Sequence, residues 1–298
     1  MSRKGRPEGE YRSAKHEGTP VRAAATPLSL SYYTVPELAP PAMVRAAADA
    51  GFDFVGVRLL NGQPGRDPAP LLENPALRRE MLACLRDTGI KVLDASGARL
   101  VPTTDLAAFG PFFEAAAELG ARHVLATGDD PDEARLADRF ATLCDAAERF
   151  GLTVDIEFVP WMTLASVNDA ARLVRAVAHP ALGIAVDALH FDRSGSRLGD
   201  LASVPPPWLR YVQLCDAPAE WSSDRDALLH AATRERLFPG EGAIDLIGLL
   251  RALPTGIPMA LEIPRETLSR TMAAPQRLQL AVQATRRVLE LAYDDSGN

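Results

Sequence analysis

Leu182–Gly195 reads LGIAVDALHFDRSG. The stretch opens as a short apolar run after Pro180 and closes on Asp187, His190, Asp192 and Arg193. A strand buried on both faces of a parallel sheet reads as a continuous apolar run. Ligands of such sheets sit beyond the carboxyl ends of the strands. Asp187 within the run and His190 just past it therefore read as chemistry. The competing reading is a charged loop after a core strand. The decision rests on whether other strands end in the same way.

Working outward, seven more β-type runs flank this one: Leu28–Val35, Phe52–Leu60, Lys91–Leu100, His123–Thr127, Leu152–Val159, Tyr211–Asp216 and Pro258–Pro264. Most alternate with helical patterns, over Pro40–Ala50, Asn74–Thr88, Asp105–Leu119, a segment ending near Phe150, Ser166–Ala178, Leu246–Leu253 and Pro275–Ala292. Residues 217–237 form a longer polar, partly helical excursion. Gly51, Gly89, Gly120 and Gly151 follow helices as C-caps. Eight β/α units of about 30 residues each predict an α/β fold, a closed (β/α)8 TIM barrel over residues 28–294. An open doubly wound sheet fits less well, since neither GxGxxG nor GxxxxGK[ST] occurs.

Residues 1–27 differ from the rest. They are rich in Arg, Lys, Glu, Gly and Pro and carry no periodic apolar face, so a disordered N-terminal extension is expected. The acids Glu8, Glu10 and Glu17 count against a transit peptide. The 298 residues carry a net charge of −7, which argues against nucleic acid or an anionic membrane surface as partner. Cys84, Cys144 and Cys215 are scattered without metal-type spacing, which points to reduced thiols and a cytoplasmic location. The expected partner is a small molecule. Association into a homo-oligomer is compatible with the sequence but not fixed by it.

Four successive late strands carry an oxygen-bearing side chain in apolar surroundings: Glu157, Asp187, Gln213 and Glu262. One such carboxylate can be explained by an arginine partner such as Arg58, Arg99 or Arg210. Three carboxylates and an amide on one barrel rim point instead to a shared divalent cation, because a buried acid is costly unless paired or metal-bound. The hard oxygen donors favour Mn²⁺ or Mg²⁺, with Co²⁺ or Zn²⁺ as further candidates. Around this rim, Arg193, Trp161, Arg58, Arg236 and Asp94 are candidates for substrate contact, with Arg236 and Glu241 flanking FPG near the mouth; the competing reading of Arg193 is a salt bridge to Asp192. His123 begins its strand and so belongs at the opposite end of the barrel.

The pieces EFVPW, VDALHFDRSG, VQLCDAP, LFPGEGAIDL and LEIPRE resemble the xylose-isomerase-like sugar phosphate isomerase/epimerase superfamily over about residues 28–293. The resemblance implies that Glu157, Asp187, Gln213 and Glu262 hold one divalent metal and that His190 contacts substrate. Gln213 stands where ketose epimerases usually have His, and resembles the hydroxypyruvate-isomerase-like and dehydroshikimate-dehydratase-like branches. The arginine those isomerases carry shortly after this motif is missing from Ala217–Trp221, which reads APAEW. DNA-repair members of the superfamily use many histidines, and this chain has five.

The implied reaction is removal of a proton next to a carbonyl, with the metal steadying the enediolate, and Glu157 and Glu262 as paired base and acid. The expected activity is a metal-dependent isomerase or epimerase of a small polyhydroxy carbonyl compound. A dehydratase acting on 3-dehydroshikimate or an inosose is the alternative. A non-catalytic binding barrel is the third reading.

Overall fold

The computed structural model describes residues 26–62 and 69–293. The expectation for the N-terminal extension falls, except at Thr26 and Pro27, outside the described residues. Thr26 is buried, and the Pro27 carbonyl accepts from the Met259 N–H at 2.9 Å, so the barrel is engaged just ahead of its first strand.

Eight strands close a parallel barrel in sequence order. They are β1 (Leu28–Leu30), β2 (Phe54–Gly62), β3 (Lys91–Leu100), β4 (His123–Gly128), β5 (Thr153–Glu157), β6 (Leu182–Asp187), β7 (Leu209–Leu214) and β8 (Met259–Leu261). The connecting helices include α1 (Pro40–Ala50), α2 (Pro70–Glu73), α3 (Pro75–Thr88), α4 (Gly110–Glu118), α5 (Glu133–Glu148) and α6 (Val167–Val177). They continue as α7 (Ala188–Arg193), α8 (Leu198–Ala202), α9 (Arg225–Arg234), α10 (Leu246–Ala252), α11 (Glu266–Ser269) and α12 (Ala274–Tyr293). The eight-fold reading of the sequence is the observed architecture.

Two apolar layers hold it together. The larger lies between strands and helices; the smaller fills the barrel and contains Phe54, Leu93, Leu125, Ala185, Tyr211 and Ala260. Successive strand side chains face opposite ways. Residues two further along from Ala185, Tyr211 and Ala260 therefore share the inward face, and these are Asp187, Gln213 and Glu262.

Local differences from the sequence reading have physical causes. The first strand ends at Leu30, and Tyr32–Thr34 forms a 3-10 turn instead of continuing to Val35. The Thr34 hydroxyl takes over the ladder, donating to the Leu261 carbonyl at 2.8 Å and accepting from the Ile263 N–H at 2.9 Å. The residues after Asp187 form the short helix α7 rather than a loop, because the Asp187 carboxylate caps it, accepting from the His190 N–H at 3.0 Å. Pairing of β2 with β3 slips: Val55 and Val57 lie opposite Val92 and Ala95, so β3 carries an extra residue there. Asp94 lies in that bulged stretch, paired with His123 across the β3–β4 ladder. His123 lies at the start of β4, far from the rim, with Nδ1 2.8 Å from Asp155 Oδ2 and 2.8 Å from Thr153 Oγ1.

Candidate metal and active site

A cavity of about 300 Å³ opens at the carboxyl ends of the strands. Its lining includes Glu157 from β5, Glu262 just past β8, His190 from α7, and Arg236, Trp161 and Arg58. A cavity at this face is where barrels of this class place their sites.

The rim carboxylates are not alike. Glu157, Asp187 and His190 offer ligand atoms that all lie within 4.8 Å of one another. Glu262 is tied from other directions. Its Oε2 accepts from Ser31 Oγ at 2.9 Å and from Gln213 Nε2 at 2.5 Å, and its Oε1 accepts from Arg236 Nη2 at 3.1 Å. The Arg236 Nη1 donates to Asp187 Oδ2 at 2.6 Å. One buried guanidinium thus spans two of the four side chains singled out in the sequence. Its Nε donates to the Ala232 carbonyl at 2.8 Å, which anchors it to α9.

Burial sets the protonation of the group. The Glu157 carboxyl is pushed well above its ordinary range by burial, reinforced by the charges of Glu262 and Asp187. Glu262 is also raised by burial, against the opposing pull of Arg236. Burial works in the same direction on Asp187, yet Arg236 and His190 outweigh it and its value is lowered. His190 is lowered to about 4 by burial, so it is neutral at physiological pH.

The residues present fit a divalent cation. Gln213 Oε1 and His190 Nδ1 are buried side-chain atoms without a hydrogen-bond partner. A buried acceptor without a donor is the exception in proteins and calls for an ion or water. Carboxylate and amide oxygens with one imidazole suit Mn²⁺, Mg²⁺ or Zn²⁺.

The other candidates are placed as follows. Trp161 stands edge-on to His190, with ring centroids 5.2 Å apart. Arg58 lies over the rings of Tyr32 and Tyr33 and donates to both hydroxyls, that of Tyr33 at 2.7 Å. Arg193 does not line the cavity. It pairs with Asp192, donates to the Pro218 carbonyl at 2.6 Å and lies over Trp221, so its placement differs from the expected substrate contact. Glu241 is also off the lining, paired with Arg265 at 2.7 Å.

Sequence reasoning missed Ser31, Tyr32, Tyr33 and Asp216. Ser31 follows Ser29 by two residues, so strand alternation alone puts it on the inward face. Asp216 needed the fold: its carboxylate accepts from the N–H groups of Ala217, Gly240, Gly242 and Ile244 and pins the PGEG loop behind Arg236.

Comparison with known proteins agrees with this architecture. The chain is 31% identical over 170 residues to a 3-dehydroshikimate dehydratase of Pseudomonas putida, covering 54% of this chain and 25% of that protein. It is 30% identical over 122 residues to an inosose isomerase of Bacillus velezensis, covering 39% of this chain and 40% of that one. The matches thus span between a quarter and two fifths of these relatives' own length. Among solved structures, that of the IOLI protein with a bound zinc atom superposes with a TM-score of 0.73 at 22% identity, covering 90% of this chain and 99% of that one. The family model described as a xylose isomerase-like TIM barrel matches residues 44–288, and the chain belongs to that family.

Proposed function

We propose that the protein is a divalent-metal-dependent isomerase or epimerase of a small polyhydroxy carbonyl compound. The observation that carries this reading is the placement of Glu157 at the end of β5 and Glu262 just past β8 in the wall of one cavity, with both carboxyls raised. A raised carboxyl is matched to proton transfer near neutral pH. Glu157, Asp187, Gln213 and Glu262 would hold the metal, with His190 beside them. A divalent ion bound there supplies Lewis acidity to a carbonyl oxygen. One glutamate takes the proton from the carbon beside that carbonyl; the other returns a proton to the opposite face of that carbon, or to the carbonyl carbon while the adjacent hydroxyl's proton passes to the former carbonyl oxygen. Neutral His190 donates a hydrogen bond to a substrate oxygen. Trp161 walls the site and limits water. Arg236 holds Asp187 and Glu262 in place.

A dehydratase is the second reading, and Arg58 favours it. Among the described residues its hydrogen-bond partners are the Tyr32 and Tyr33 hydroxyls and the Leu60 carbonyl, all neutral, so its charge is available to a substrate carboxylate. The dehydratase relative is consistent with this. The test is incubation of Mn²⁺-loaded protein with an inosose and with 3-dehydroshikimate. Interconversion of the inosose supports the isomerase. An ultraviolet-absorbing aromatic product from 3-dehydroshikimate supports the dehydratase. Turnover of neither, with a metal-loaded folded protein, contradicts both.

A further inference from the structure

Asp94 is a buried acid that the reading above does not use. Only 7% of it is exposed, and what is exposed lines the cavity. Among the described residues it has no ion pair, and no side chain of another residue donates a hydrogen bond to it. This is unusual for a carboxyl so deeply placed. Its position is built by two features. It lies in the β3 bulge, and Gly56 on β2 leaves the space it fills: a Cβ on Gly56 would lie 2.6 Å from Asp94 Oδ1. Asp94 stands on β3, away from β5 through β8, which carry the metal candidates. Asp94, Glu157 and Arg58 line the same cavity.

We propose that Asp94 is a further catalytic residue, a neutral carboxylic acid that donates a hydrogen bond to a substrate oxygen in the cavity it lines with Glu157 and Arg58. This rests on the functional reading above. The groups facing Asp94 are Glu262 past β8, His123 on β4, Asp155 and Glu157 on β5, and Tyr211 on β7. Burial and the Glu262 charge push its value up to about 7, with His123 opposing, so a proton is held where most aspartates have lost theirs. A carboxyl kept neutral by an apolar site is a hydrogen-bond donor.

The test compares Asp94→Asn and Asp94→Ala in the metal-loaded enzyme. Asn keeps a donor of the same shape. Its kcat/KM is expected to stay within about tenfold of the wild type, while Asp94→Ala falls about 100-fold, at the low end for loss of a positioned proton donor. Mn²⁺ affinity should be unchanged in both. Wild-type kcat/KM in Asp94→Ala, or Asp94→Asn as impaired as Asp94→Ala in a folded protein, overturns the proposal. The protonation state is read without any reaction, from ¹³C NMR of aspartate-labelled Mg²⁺-loaded protein, with Asp94→Asn assigning the signal. A protonated carboxyl at pH 6 is expected, and a carboxylate at that pH overturns the donor role. Failure of all candidate substrates would count against the functional reading, while the carboxyl signal still decides the state of Asp94.

Discussion

Arg236 Nη1 lies 2.6 Å from Asp187 Oδ2, and both side chains are buried. The same guanidinium reaches Glu262 Oε1 at 3.1 Å, so one positive charge stands between two acids of the rim. Removing one partner of a buried charge pair leaves an uncompensated charge, which costs about 3–5 kcal/mol. Arg236→Met is therefore expected to destabilise the metal-free protein by that amount. Added Mn²⁺ should recover part of the loss by supplying positive charge to the same oxygens. Urea unfolding with chelator and with Mn²⁺ checks this. Equal losses under both conditions would mean that Arg236 and the metal do not share partners.

Gly97 is required by geometry. Its φ is +113°, and an added Cβ would overlap the Leu60 carbonyl oxygen of β2. Gly97→Ala should destabilise by more than about 1 kcal/mol, the ordinary scale of a Gly/Ala change, because backbone must move. Gly51, with φ +85° and open space around it, gives the comparison. Its Ala variant is strained by φ alone and should lose less.

The fold was legible because apolar runs and helical periodicity are local, and eight repeats of one unit exclude most alternatives. Glu157, Asp187, Gln213 and Glu262 were legible because a polar residue in a buried strand stands out. Arg193 was legible only as a choice between substrate and its neighbour Asp192, and the fold shows it against Asp192, Pro218 and Trp221, off the cavity lining. Arg236 was identified near the mouth, yet its contact with Asp187, 49 residues away, depends on how the excursion between β7 and β8 folds back. The Asp94 bulge leaves no mark in LDASG, since the extra residue is defined only by pairing with β2.

Asp94 also predicts a pH dependence of stability. Its value rises from an ordinary 3.8 to about 7 in the fold. The folded state binds the proton more tightly, so the associated stability is complete below the unfolded value and is lost as pH rises toward 7. Metal-free wild type should therefore lose stability relative to Asp94→Asn between about pH 4 and pH 7. Denaturant midpoints of the two proteins across that range measure it. A constant difference would show that Asp94 titrates at its ordinary value.

Anomalous diffraction from crystals grown with Mn²⁺ tests the central claim most directly. The account predicts one strong peak at the barrel mouth within coordination distance of Glu157, Asp187, Gln213 and Glu262, with Arg236 still against Asp187. A peak elsewhere, or none at saturating Mn²⁺ with these side chains unmoved, would contradict it.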